Sequence, residues 1–174
     1  LGVRALSLAV VAGVLLGSVA AIRRGSAWDS ISMFIALIGV SVPSFIMGAM
    51  LQYFLARQLR KWTGITFFPI QGWGTFKQTL LPAFALGLGS LATVSRHMRT
   101  SMLDVMGQDN IKTAKAKGLS QRKILWKHAM RNAIMPGVTS LGTPVASVLS
   151  GPFVIESIFN IPGLGNIFLI RLQA

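Results

Sequence analysis

The chain has 174 residues, of which 52% are hydrophobic and only 12% charged, with a mean hydropathy of +0.62; soluble domains carry roughly 25% charged residues. That balance excludes an ordinary soluble domain and points to a membrane protein. Seventeen Lys and Arg against four acids give a net charge of +13, which suits nucleic acid, anionic lipid or the cytoplasmic loops of a membrane protein. Cysteine is absent, which excludes disulfides and thiolate metal sites and leaves the compartment open.

Ala5 to Ile22 contains no charge, and at about 1.5 Å per residue it reaches about 27 Å, close to the hydrocarbon thickness of a bilayer. It reads as a membrane span ended by Arg23 and Arg24. Gly13 and Gly17 stand four apart; they suit close approach of another helix, and equally the ordinary abundance of glycine in membrane helices. Ile31 to Ala56 is a second apolar segment, carrying Gly39 and Pro43. The missing Pro43 amide predicts a kink or a carbonyl opened toward a cavity. Arg57 to Thr79 mixes aromatics, glycines and cations too densely for a span and reads as an interfacial loop, with Trp62 and Trp73 at headgroup depth.

Leu80 to Ser95 is short for a span unless it extends into the basic stretch beyond, and its Gly87 and Gly89 again suit close helix contact. Ala133 to Phe159 reads as a final complete span, with Pro144 and Pro152 inside it and Glu156 near one end. Its glycines and prolines suit a protein interior or aqueous path better than lipid. The chain opens on Leu1 and closes at Ala174 just after a fresh apolar run, which reads as a fragment.

Two spans separate Arg23 and Arg24 from the basic stretch Arg96 to Arg131, so the two regions share a side. The stretch alone holds nine Lys and Arg, against four in the Arg57 to Thr79 loop. The positive-inside rule places the basic side in the cytoplasm. The stretch does not itself cross: at roughly 2.5–3.5 kcal/mol per central cation, the cost exceeds about 20 kcal/mol.

Within it, Asp109 to Lys117 reads as a helix with charges matched to the helix dipole, stopped by Gly118 in a left-handed turn. Ser120 is placed to cap a second helix, although Lys123 at the third position denies it a capping box. On a helical wheel Lys123, Lys127 and Arg131 form one stripe, opposite Leu125, Trp126, Ala129, Met130 and Ala133. Ile111, Ala114 and Gly118 give the first helix a small-residue face that can dock closely in a groove. The hairpin suits a cytoplasmic partner or anionic headgroups. DNA reading would need a helix free to enter a major groove, whereas both ends of this hairpin run into spans.

The stretch "RTSMLDVMGQDNIKTAKAKGLSQRKILWKHAMRNAIMP", followed by "VIESIFNIPGLG", resembles the membrane permeases of ABC importers for dipeptides and oligopeptides, a group that includes nickel permeases. The resemblance is close over Pro82 to Gly165, and weaker likeness in span order and in "SVPSF" extends it through most of the chain. It implies an all-α, polytopic transmembrane helical bundle of the ABC importer permease type, one domain over residues 1–174. Residues 96–132 would form a cytoplasmic coupling loop containing a coupling-helix hairpin. Carried residue by residue, it implies ATPase coupling by Thr113, Ala114, Ala116, Lys117, Gly118 and Leu119, supported by His128, Arg131, Asn132 and Pro136. Lys112 stands where the generic importer motif has glutamate, and Gly118 to Pro136 exceeds the generic spacing. Both departures resemble the peptide branch and put any generic salt bridge from that glutamate in doubt. Family members also have a further span before and another after the matched region.

No phosphate cradle GxxxxGK[ST] is present, and the HExxH and GxSxG patterns are absent. The chain is therefore read as a transport subunit rather than an enzyme, with no cofactor of its own. The resemblance implies that ATP and Mg are bound by two cytoplasmic ATPase subunits, that a homologous second permease completes the pore, and that an extracytoplasmic binding protein delivers peptide. It implies a multi-pass protein of a bacterial or archaeal plasma membrane, in contact with lipid and not with nucleic acid. His97 and His128 read as interfacial or docking residues, and Asp104 and Asp109 as caps or ion-pair partners within the basic loop. Glu156 has two readings, a solvated or capped side chain at the outer end of its span, or a gate or receptor contact. A self-sufficient channel or secondary carrier, its hairpin resting on lipid, is the alternative to the importer.

Overall fold

The structure, a computed structural model, describes residues 1–139, 142, 145, 148 and 153–163, and the regular elements among them are all helices. Helix α1 is Gly2–Ile22. Its backbone groups are satisfied internally, as a bilayer demands. Helix α2, Ala27–Ser41, ends where Pro43 withholds the amide that Gly39 would need. Val42, ahead of the proline, is extended at φ −91° and ψ 122°. The next helix, α3 (Ser44–Thr63), leaves at 109° to α2. The kink expected in Ile31 to Ala56 is thus a full break, shaped as a broken span or a re-entrant loop. Wide turns over Gln52–Gln58 run through the middle of α3.

Glycines with positive φ at 64, 72 and 74 shape the connection to α4, Phe76–Met106. A capping box starts α4: the Thr75 N–H donates to Gln78 Oε1 at 3.0 Å, and the Thr75 hydroxyl accepts from the Gln78 backbone N–H. The segment Leu80 to Ser95 does extend into the basic stretch. At 31 residues, α4 is about 46 Å long against a hydrocarbon core of about 30 Å. Arg96, His97 and Arg99 therefore sit on a continuing helix rather than at the start of an irregular loop.

Helix α5 is Asp109–Ala116. Helix α6, residues 121–139, is built from Gln121–Lys123, wide turns over Ile124–Ala129, and Met130–Thr139. A short helix α7, Phe153–Ile158, follows. Pro144 and Pro152, expected inside the final span, lie outside the described residues. By length and composition α1 and α4 can each cross a membrane, and the bent α2–α3 pair can supply a third crossing.

Helix α4 is the element against which the others pack. Helix α1 runs parallel to it, presenting buried Ala5, Ala9, Gly13, Gly17 and Ala21 at every fourth position. The Ala5 carbonyl meets Gly87, Gly13 lies against Leu91 and Val94, and Gly17 against Ser95 and Met98. Small residues allow this close approach, which replaces the hydrophobic drive that lipid cannot provide. Helix α2 runs antiparallel, Gly39 lying against Leu88 and Ala92. Near the basic end Asp29 ties α2 to α4: Arg99 Nε donates to Oδ1 at 2.7 Å and Nη2 to Oδ2 at 2.8 Å. The Gly25 N–H donates to the same carboxylate at 3.0 Å.

Two apolar cores lie at opposite ends of α4. One gathers Leu81, Ala85 and Leu86 with Ile155 and Phe159 of the α7 region, and the other gathers Met98, Met102 and Val105 with Ile111 and Ala114 of α5. The Arg23–Arg24 loop and the basic stretch share the second end, since Ala21 joins that core.

Substituting Gly17 with valine drives a methyl into the Ser95 carbonyl and within 2.8 Å of Met98 Cβ, so the purified protein in detergent should lose about 1–3 kcal/mol of stability. The exposed-face control Val19→Leu should stay within about 0.5 kcal/mol. Equal melting temperatures for the two variants would show that the seam is not close-packed. Asp29→Asn alone, which leaves Arg99 without its counter-ion, should cost about 2–3 kcal/mol. The double change with Arg99→Met should cost less than the two single changes added, measured by the same melts.

Candidate functional site

The helical hairpin formed by α5 and α6 begins with a stop that only a few residue types permit. Gly118 has φ +73°. Its N–H donates to the Lys115 carbonyl at 2.9 Å, and the Leu119 N–H reaches back to Ala114 O at 3.3 Å. This paired pattern consumes the loose carbonyls at the end of α5. Ser120 stands at the cap position of α6, yet its side chain makes no capping bond. Asp109 does form an ion pair, with Lys112 at 2.8 Å. Both side chains are solvent-exposed, so the pair adds little.

Of the small-residue face, Ile111 and Ala114 point inward, whereas Gly118 is exposed. Ile111 is fully buried and Ala114 is 6% exposed, both packed with Met98, Met102 and Val105 of α4 and with Ile124 and Ala129 of α6. Leu119 is half-buried against the same core. The outward face carries Thr113, Ala116, Lys117 and Gly118, all exposed, together with Lys112 and Lys115. The six residues expected to couple thus divide: four form an outer surface, whereas Ala114 and Leu119 hold that surface to the bundle. On α6, Arg131, Asn132 and Pro136 are exposed and His128 is half-buried.

Trp126 departs from its expected place. It is 59% exposed, although Ala129 and Ala133 from the same predicted arc are buried. The wheel assumed 3.6 residues per turn, and the wider turns over Ile124–Ala129 shift the register at that point. The exposed hairpin surface therefore combines an aromatic ring with the cations Lys115, Lys117, Lys123, Lys127 and Arg131.

At the other end of the bundle, Glu156 on α7 is 8% exposed, so it is buried rather than solvated. The following chain folds back over it: Asn160 takes φ +51°, and the Ile161 N–H donates to the Glu156 carbonyl at 2.8 Å. Gly163 lies so close to the carboxylate that any Cβ there would collide with it. This turn is laced to the aromatic loop. Gln52 Nε2 donates to Ile70 O at 2.7 Å and to Ile158 O at 3.3 Å, and the Gly72 N–H donates to Phe159 O at 3.2 Å. Sequence reasoning missed Gln52, Gly72 and Gly163. The Thr75–Gln78 capping signature was the nearest legible signal in that region.

Residues 13–174 match the family described as the binding-protein-dependent transport system inner membrane component. The chain is 46% identical over 169 residues to the dipeptide transport system permease protein DppB of Bacillus subtilis, covering 97% of this chain and 53% of that protein. It is 40% identical over 174 residues to DppB of Lactococcus lactis, covering 100% and 55%. It is 40% identical over 171 residues to the oligopeptide transport system permease protein OppB of Haemophilus influenzae, covering 97% and 54%. The chain thus spans about half the length of the curated relatives it matches. With its helical, membrane-spanning architecture and this match over most of its length, the chain belongs to the inner membrane component family of binding-protein-dependent transport systems.

Proposed function

We propose that this chain is part of the membrane-spanning permease subunit of an ATP-driven peptide importer, and that the α5–α6 hairpin couples it to ATPase subunits in the cytoplasm. The protein pairs with a homologous second permease, takes peptide from an extracytoplasmic binding protein, and relies on two partner ATPases for ATP and Mg chemistry. It resides in a bacterial or archaeal plasma membrane, with residues 96–132 on the cytoplasmic side. The dipeptide and oligopeptide permeases among its relatives support the cargo class.

One observation carries the coupling role: the hairpin is anchored on one face and bare on the other. A conformational change is transmitted only through an element that both states contact differently. Ile111 and Ala114 seat the hairpin in a core shared with the end of α4, so a push on Thr113, Ala116 or Lys117 acts on the longest helix among the described residues. The exposed cations suit a groove with an acidic rim. Glu156, buried under the turn at Gly163, suits a gate that binding protein disturbs by moving the turn, since direct contact with its carboxylate is blocked.

Nothing lies within 4 Å of a Cβ built at Gly118, so a side chain there acts through backbone strain of about 1–2 kcal/mol and through bulk at the docking surface. In the assembled transporter, Gly118→Val should abolish ATP-driven dipeptide uptake, and Gly118→Asn, which tolerates the left-handed turn, should retain most of it. Unchanged uptake and normal ATPase association in the valine variant would refute the coupling role. A cysteine at exposed Ala116, in this cysteine-free chain, should crosslink to an ATPase subunit, whereas one at buried Ala114 should not. Failure at Ala116, with uptake that survives ATP depletion, would instead favour a self-sufficient carrier.

A further inference from the structure

The break between α2 and α3 leaves backbone groups unmatched in an otherwise apolar setting. Pro43 has no N–H to offer the Gly39 carbonyl. The first amide of α3 with a helical acceptor is that of Met47, which donates to Pro43 O at 3.1 Å, and no side chain caps the helix start. The amides of Ser44, Phe45 and Ile46 are therefore left over. These groups adjoin a cavity of about 260 Å³ bounded by Val42, Pro43 and Ser44 on one side and by Leu86, Gly89 and Ser90 of α4 on the other. Gly89 leaves room for the free carbonyl, a Cβ there standing 3.6 Å from Gly39 O.

Ser90 supplies an independent sign of a ligand. It lines the same cavity and is only 6% exposed, yet its hydroxyl makes no hydrogen bond among the described residues. Thr93, three residues on, makes the ordinary bond to its own helix, donating to Gly89 O at 3.0 Å. The hydroxyl is open to the cavity and free to bond whatever occupies it.

We propose that this cavity is a cargo subsite that receives one uncharged peptide group of the translocated peptide, with Ser90 as a specificity-determining contact. Donors at the start of α3, the acceptor at Gly39 and a hydroxyl that can do either match an amide, which offers both. Among the described residues no ionisable side chain lines the cavity, so a charged terminus would be unpaired there. The carbonyl end of α2 opposes the amide end of α3, which offsets the pull of either helix dipole on a full charge. The volume of about 260 Å³ lies just below the roughly 300–1,000 Å³ of pockets for drug-sized ligands, so it suits a short stretch of peptide. This subsite rests on the peptide-import reading.

The test uses the complete transporter in proteoliposomes, with its binding protein, and compares ATP-driven uptake of dialanine with its ester analogue, in which an oxygen replaces the peptide N–H. Ser90→Ala should lower the amide-over-ester preference by about three- to tenfold relative to wild type, the effect of one hydrogen bond. Assembly and cargo-free ATP hydrolysis should be unchanged. Ser90→Thr, which keeps the hydroxyl, should keep the preference. An unaltered preference in Ser90→Ala, or equal loss in alanine and threonine variants, would overturn the subsite. Wild-type vesicles that take up no dialanine with ATP would overturn the import reading instead.

Discussion

The contact on which the rest depends is the seating of Ile111 and Ala114 against Met98, Met102 and Val105. Helix α5 packs on α6, which in turn packs along α4, and the three share one core. Packed cores switch between discrete arrangements and do not deform continuously. A hairpin fused to α4 in this way moves as part of it. Had the same residues faced outward, the hairpin would be a flexible basic loop, able to bind a partner but unable to transmit displacement.

The bundle is built so that α4 can carry such a displacement along its length. Its contact with α1 is a seam of small residues at every fourth position, in which backbone approach rather than side-chain bulk supplies the packing. The Asp29–Arg99 pair fixes α2 near the basic end, where a bidentate charge pair also sets rotational register. At the opposite end α4 shares a core with the turn that buries Glu156. One helix thus adjoins the core beneath the candidate coupling surface, the α2–α3 break and the candidate gate.

Much of this was legible in the sequence, and the gaps have physical causes. Uncharged length located α1, and the left-handed stop at Gly118 was plain because so few residues adopt it. The seam was half visible: Gly13 and Gly17 stood out, whereas Ala5, Ala9 and Ala21 did not, since alanine suits any helix face. The end of α4 was left open in the sequence because charge at Arg96 and Arg99 stops a membrane crossing without stopping a helix. Pro43 announced a kink, yet the 109° bend also needs the extended Val42 and packing at Gly48. Helical spacing found the small face of α5 but gave no sign of which side it packs on. Trp126 was misplaced because wide turns break the assumed period. Asp29 with Arg99, and Glu156 with Gly163, are tertiary meetings that no local pattern announces.

The most direct measurement is the distance between spin labels at Thr100, exposed on α4, and Ala116, on the outer face of α5, in the assembled transporter with and without ATP. The account predicts one unchanged distance distribution, while labels at Ala116 and on the ATPase approach one another. A hairpin that shifts relative to α4 when ATP binds would contradict it.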